Sequence, residues 1–91
     1  GKPDPQPYAK GAELNHVNIT NCFVVEDAPA GVLSGKRTGA RVLAVKTTHD
    51  AERLWRQGAD FVVDNLTKVK ARWSGNKIIL TIDSELRPSF E

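Results

Sequence analysis

The sequence predicts an α/β fold built on a parallel sheet and finished by a β-hairpin. Three observations carry that expectation. Residues 22–25, Cys-Phe-Val-Val, are an apolar run without alternation that ends on two adjacent carboxylates, Glu26 and Asp27. That is the pattern of a short strand covered on both faces. Further strand-like runs at 41–45 and 60–64 alternate with helix-like stretches that begin near Pro29 and after Asp50. Such alternation marks a parallel sheet with right-handed crossovers. Near the end, Val69, Ala71 and Trp73 are spaced at two, as are Ile78, Leu80 and Ile82, with Ser74-Gly75-Asn76 between them. That spacing predicts two paired strands and a tight turn.

Each element has its own signals. Asp4 suits a helix cap with Pro5 in the first turn, and that helix runs to about Asn15 with Tyr8, Ala9 and Ala12 inward. Residues 16–21 connect it to the strand at 22–25. The next helix begins near Pro29. Gly31, Gly35 and Gly39 are spaced at four, so two or three of them share one helix face. Each helical glycine costs up to ~1 kcal/mol against alanine. Close approach of the helix to the sheet is the expected reason. Lys36 and Arg37 interrupt the stripe and argue against a membrane dimer face. After the strand at 41–45, Thr47, Thr48 and His49 fall on the same side of the sheet as Glu26 and Asp27. Asp50 caps a short helix over 51–57 that Gly58 ends. The hairpin is added to the sheet or packed on it, with a short helix over 66–71 as the rival. Residues 1–83 are read as one core unit and 84–91 as a tail, with 87–91 a loose end.

Composition narrows the classes. Ninety-one residues hold one small domain at most. A formal charge of +2 with scattered basic residues gives no reason to expect nucleic acid. Trp55 and Trp73 are expected as core or covering residues rather than base-stacking platforms. No signal-peptide pattern opens the sequence, and no run reaches about 18 apolar residues. No membrane association is expected, and the cytoplasm is the expected location. The single cysteine, Cys22, excludes an internal disulfide and is expected as a buried thiol. His16 is expected on a loop. Two histidines far apart do not make a zinc site. Asn18 and Asn65 each begin a glycosylation triplet, a pattern that arises often by chance.

The chemistry concentrates at Glu26 and Asp27. Two acids at the carboxyl end of an apolar strand are costly unless something pairs with them. In open α/β sheets that end binds ligands. A divalent cation explains the pair, and an all-oxygen site suits Mg2+. Asp27 is the expected metal ligand, with a cap for the Pro29 helix as its alternative role. Glu26 is expected to hold a metal-bound water or to orient Asp27. Thr47, Thr48 and His49 serve equally well as caps of the following helix.

The opening Gly1-Lys2-Pro3-Asp4-Pro5, read with Val24-Val25-Glu26-Asp27-Ala28-Pro29-Ala30-Gly31, resembles the haloacid dehalogenase-like hydrolases. Their third motif is a lysine in a Lys-Pro-x-Pro setting, and their fourth is a strand ending in an acidic pair. The likeness continues through Gly35-Lys36-Arg37-Thr38-Gly39-Ala40, Val42-Leu43-Ala44-Val45 and Ala59-Asp60-Phe61-Val62-Val63. It is strongest toward the fungal glycerol phosphate and 2-deoxyglucose phosphate phosphatases. The resemblance implies the carboxyl-terminal part of a three-layer, Rossmann-like core. It implies Lys2 as the catalytic and phosphate-binding cation, Glu26 and Asp27 at Mg2+, and a small phosphorylated metabolite as substrate.

The family's nucleophile motif, Asp-x-Asp, does not occur in these residues. The reading is therefore part of a phosphatase working through an aspartyl-phosphate, inactive without its nucleophile segment. A sugar-phosphate mutase of the same superfamily is the enzymatic alternative. A non-catalytic, self-associating module is the alternative of another class. Pairing with an amino-terminal half or with a second copy is expected, because the family's sheet places the nucleophile strand beside residues 22–25.

Overall fold

A computed structural model describes residues 22–47 and 49–90. Lys2, the helix read over 5–15, His16, the Asn18 triplet and Thr48 lie outside the described residues. Within them the chain runs β1 (Phe23–Glu26), α1 (Pro29–Lys36), β2 (Arg41–Val45), α2 (Ala51–Arg56), β3 (Phe61–Val63), a 3-10 turn (Leu66–Lys68), β4 (Val69–Ser74) and β5 (Lys77–Ile82). β1, β2 and β3 form a parallel sheet in that order, and β4 and β5 form a separate antiparallel pair. The α/β reading with a terminal hairpin holds.

Register sets the two faces of the sheet. Val24 aligns with Val42, and Ala44 aligns with both Glu26 and Val62, so these five side chains share one face. Helices α1 and α2 cover it. Val24, Val42, Ala44 and Val62 join Val32, Leu54, Trp55, Ala40 and Ala59 in one buried core. Gly31 and Gly35 give α1 its close approach. A Cβ on Gly35 would stand 2.9 Å from Val42 Cγ2 and 3.1 Å from Val24 Cγ1, nearer than packed carbons tolerate. Gly39 does not share that stripe. It lies past the helix end with φ of 87°, the left-handed region where glycine is unstrained.

Polar side chains fix the joints. Asp50 caps α2, accepting from the Arg53 amide at 3.1 Å. Asp60 Oδ2 accepts from the Val42 amide at 2.7 Å and from Lys36 Nζ at 2.9 Å, tying α1 and β2 together. Asn65 accepts from the Thr67 amide at 2.9 Å and starts the 3-10 turn. That turn is all that forms of the rival helix over 66–71.

Several expectations need correction. β1 begins and ends one residue later than 22–25, so Glu26 lies inside the strand. β1 is also not covered on both faces, since Val25 is 52% exposed. Cys22 is half-buried rather than enclosed. Trp55 is a core residue, but Trp73 is 71% exposed near the hairpin tip.

The opposite face of the sheet carries Phe23, Leu43, Phe61 and Val63, with Phe23 and Phe61 rings 6.2 Å apart. Ile78, Leu80 and Ile82 of β5 approach this face and bound a cavity of about 520 Å³ with Phe23, Arg41 and Phe61. An isolated hairpin is marginal in water; the links from its carboxyl end to the sheet are main-chain and Ser84 bonds to Val62.

The tail is not loose. Ser84 Oγ accepts from the Val62 amide at 3.0 Å, and the Glu85 amide donates to the Val62 carbonyl at 2.8 Å. Residues 84–85 thus satisfy the outer edge of β3, which would otherwise offer unpaired groups. Phe90 packs against the core, and the Arg56 guanidinium sits 4.5 Å from its ring centroid.

Candidate active site

Because the three strands are parallel, their carboxyl ends open on one side. β1 delivers Glu26 and Asp27 there, β2 delivers Lys46 and the loop bearing His49, and β3 delivers Asp64. His49 is on the same side of the sheet as the acidic pair, as the sequence predicts, and its Nδ1 lies 3.3 Å from the Asp27 carbonyl oxygen.

The two acids differ sharply in setting. Glu26 is 9% exposed and turned toward α1. Its Oε2 accepts from the Asp27 amide at 3.3 Å. The carboxylate lies against Gly31 so closely that a Cβ there would collide with it, standing 2.8 Å even from Oε1. Gly31 is in the first turn of α1, where the helix dipole favours negative charge. The burial of Glu26 is thus compensated within the chain.

Asp27 is exposed. It does not cap α1; the cap position is Ala28, and no side chain closes it. Its carboxylate receives no hydrogen bond or ion pair from the described residues. It stands at the ligand-binding end of the sheet, available to a cation.

The described residues hold no group of three or more His, Cys, Asp or Glu side chains able to enclose a metal. Mg2+ needs no such cage. It keeps several waters and binds through one or two carboxylates plus phosphate oxygens. An exposed carboxylate such as that of Asp27 has the chemistry for such a site, and Glu26 Oε2 accepts from its main-chain amide.

Lys46 is a feature that sequence reasoning passed over. Its ammonium lies 3.0 Å from Glu85 Oε1 and 3.2 Å from Asp64 Oδ1. The hydrogen bond it donates to Glu85, then that to Asp64, raises its pKa above the ordinary 10.5. Two carboxylates pair with this cation, which ties the tail to the strand ends. Only the pairing of β2 with β3 and the return of the tail create the cluster.

Comparison with known proteins agrees with this geometry. The HAD-hydrolase-like family profile matches residues 1–69, so the chain belongs to that family of haloacid dehalogenase-like proteins. The chain is 44% identical over 73 residues to a validoxylamine A 7'-phosphate phosphatase of Streptomyces hygroscopicus subsp. limoneus, covering 80% of this chain and 32% of that protein. It is 36% identical over 77 residues to glycerol-1-phosphate phosphohydrolase 2 of Saccharomyces cerevisiae, covering 77% and 31%. It is 32% identical over 94 residues to the yeast 2-deoxyglucose-6-phosphate phosphatase 2, covering 94% and 38%. The likeness to the fungal phosphatases read from the sequence therefore stands. Among solved structures, a HAD family hydrolase from Deinococcus radiodurans R1 with bound phosphate and sodium matches at a TM-score of 0.68 and 28% identity, over 74% of this chain and 31% of that one. A proposed beta-phosphoglucomutase from Bacteroides vulgatus matches at 0.69 and 28% identity, over 72% and 28%. The chain spans about a third of the length of these relatives.

No helix among the described residues is long and apolar enough to cross a membrane.

Proposed function

We propose that these residues are the carboxyl-terminal part of a Mg2+-dependent phosphatase. Its substrate is a small phosphomonoester, a sugar or polyol phosphate. The observation that carries the reading is Asp27: an exposed carboxylate, free of capping duty, at the carboxyl end of β1 in a chain of this family. The relatives named above as phosphatases of glycerol-1-phosphate and 2-deoxyglucose-6-phosphate support the substrate class.

In this reading Asp27 is a metal ligand and Glu26 sets its main chain. Bound Mg2+ would neutralise charge on the phosphoryl oxygens. Lys2, in its Lys-Pro-Asp-Pro setting, is assigned by family likeness as the cation that holds phosphate beside the nucleophile. The nucleophile and acid/base lie outside these 91 residues, because no Asp-x-Asp occurs among them. Alone, the 91 residues are expected to be inactive.

The neighbour described as a proposed beta-phosphoglucomutase favours one second reading, a sugar-phosphate mutase. Both reactions use the same cation and metal site. Incubating the complete protein with hexose and polyol phosphates separates them. Release of inorganic phosphate supports the phosphatase, and an isomerised sugar phosphate with no phosphate release supports the mutase.

A further inference from the structure

We propose that His49 is a positioning residue for the Asp27 carboxylate, resting on the reading of Asp27 as a metal ligand. The observation is a two-sided clamp on one residue's main chain. The Asp27 amide donates to Glu26 Oε2 at 3.3 Å, and the Asp27 carbonyl faces His49 Nδ1 at 3.3 Å. One partner is adjacent in sequence and the other lies 22 residues away, across the mouth of the sheet. The carboxylate of Asp27 receives no bond from the described residues, so the two groups act on it through the main chain, by fixing the Cα–Cβ bond about which it turns.

The loop that presents His49 is itself fixed at both ends. At its start, the Lys46 amide donates to the Val63 carbonyl at 2.8 Å, and the Lys46 ammonium bridges Asp64 and Glu85. At its end, Asp50 caps α2 through the Arg53 amide. His49 thus lies between two anchored positions, Lys46 and Asp50. A carbonyl oxygen only accepts, so the contact requires the hydrogen on Nδ1. His49 therefore has to be in the Nδ1–H form, neutral or cationic.

The test uses the complete protein and three variants at this position. His49→Asn keeps an amide N–H near the place of Nδ1. His49→Gln moves that donor outward, and His49→Ala removes it. Mg2+ half-saturation is followed by the amide shifts of Asp27 and Ala28 rather than by turnover. Partners that orient a metal ligand typically matter by about 10- to 100-fold in affinity. His49→Ala and His49→Gln are expected to raise the half-saturating Mg2+ concentration about tenfold, and His49→Asn to stay within about threefold of wild type. Ring nitrogen shifts of His49 should show the hydrogen on Nδ1. Equal Mg2+ affinity in wild type and His49→Ala would overturn the proposal, as would equal loss in His49→Ala and His49→Asn. Asp27→Asn separates the two readings. If it leaves Mg2+ affinity unchanged, the metal assignment of Asp27 fails. The clamp is then judged by the ring shifts and by faster exchange of the Ala28 amide in His49→Ala; a hydrogen on Nε2 alone, or unchanged exchange, would overturn it.

Discussion

Replacing Gly31 with alanine tests the structural basis of the acidic pair. In an ordinary helix this change stabilises by about 0.5–1 kcal/mol, because glycine loses more freedom on folding. Here the new Cβ would occupy the place of the Glu26 carboxylate. Forcing extra carbon into a packed site costs about 1–3 kcal/mol. Moving Glu26 also weakens its bond to the Asp27 amide, and a hydrogen bond to a charged group contributes about 1.5–3 kcal/mol. Part of the strain is relieved by rotation of Glu26, so the net expectation is destabilisation by about 1–3 kcal/mol. Truncating Glu26 to alanine removes the obstacle. In that background Gly31→Ala should be neutral or stabilising by up to about 1 kcal/mol. A double-mutant cycle by urea denaturation should then give a coupling of about 2 kcal/mol. Gly35→Ala serves as a comparison, since the atoms nearest its Cβ would be Val42 Cγ2 and Val24 Cγ1 and Cβ, not a carboxylate. A Gly31→Ala protein as stable as wild type, or the same effect in both backgrounds, would show that Glu26 is not folded under α1.

Three further outcomes follow from the same contacts. Because Lys46 has a raised folded pKa, its ion cluster stabilises fully below its ordinary 10.5 and that contribution is lost as pH rises through the higher folded value. The stability gap between wild type and Lys46→Gln should therefore close in strong alkali, and a gap that persists unchanged there would contradict the cluster. Phe90→Ala should cost about 1–2 kcal/mol, since the ring is half-buried and stacked under Arg56, and Ser84→Ala should speed exchange of the Val62 amide; no change in either would return the tail to a loose end. Finally, β1 is an outer strand of the described sheet, with Val25 exposed, so we propose that the 91 residues self-associate through this edge or require the rest of the protein; sedimentation as a monomer at low micromolar concentration with rapid exchange at residues 22–25 would count against it.

The sequence disclosed whatever depended on local chemistry. β2 falls on Arg41–Val45 as read, because an apolar run between Gly39 and the polar loop leaves little choice. Asp50 and Gly58 bracket α2 for the same reason, one as a side-chain cap and the other at φ of 101°. The hairpin was legible from alternation at positions 69–82. What the sequence obscured depended on distant partners. A carboxylate looks costly inside a strand, so the sequence alone ends β1 before Glu26. Nothing local shows that Gly31 opens a space for it. Phe90 looks like part of a polar tail until Arg56 and the α2 face are beside it. Trp73 fits an apolar alternation, yet the hairpin reaches beyond the sheet and leaves the ring exposed. At the candidate site, Asp27 and its place at the strand end were legible, whereas the His49 contact needed the parallel pairing of β1 and β2.

The most direct test of the central claim is phosphate release by the complete protein from 2-deoxyglucose-6-phosphate and glycerol-1-phosphate, with and without Mg2+, in wild type and Asp27→Asn. The account predicts Mg2+-dependent release in wild type. It predicts a loss of at least about tenfold in the folded variant, with part of the loss recovered at high Mg2+. Wild-type activity and unchanged Mg2+ dependence in Asp27→Asn would contradict it.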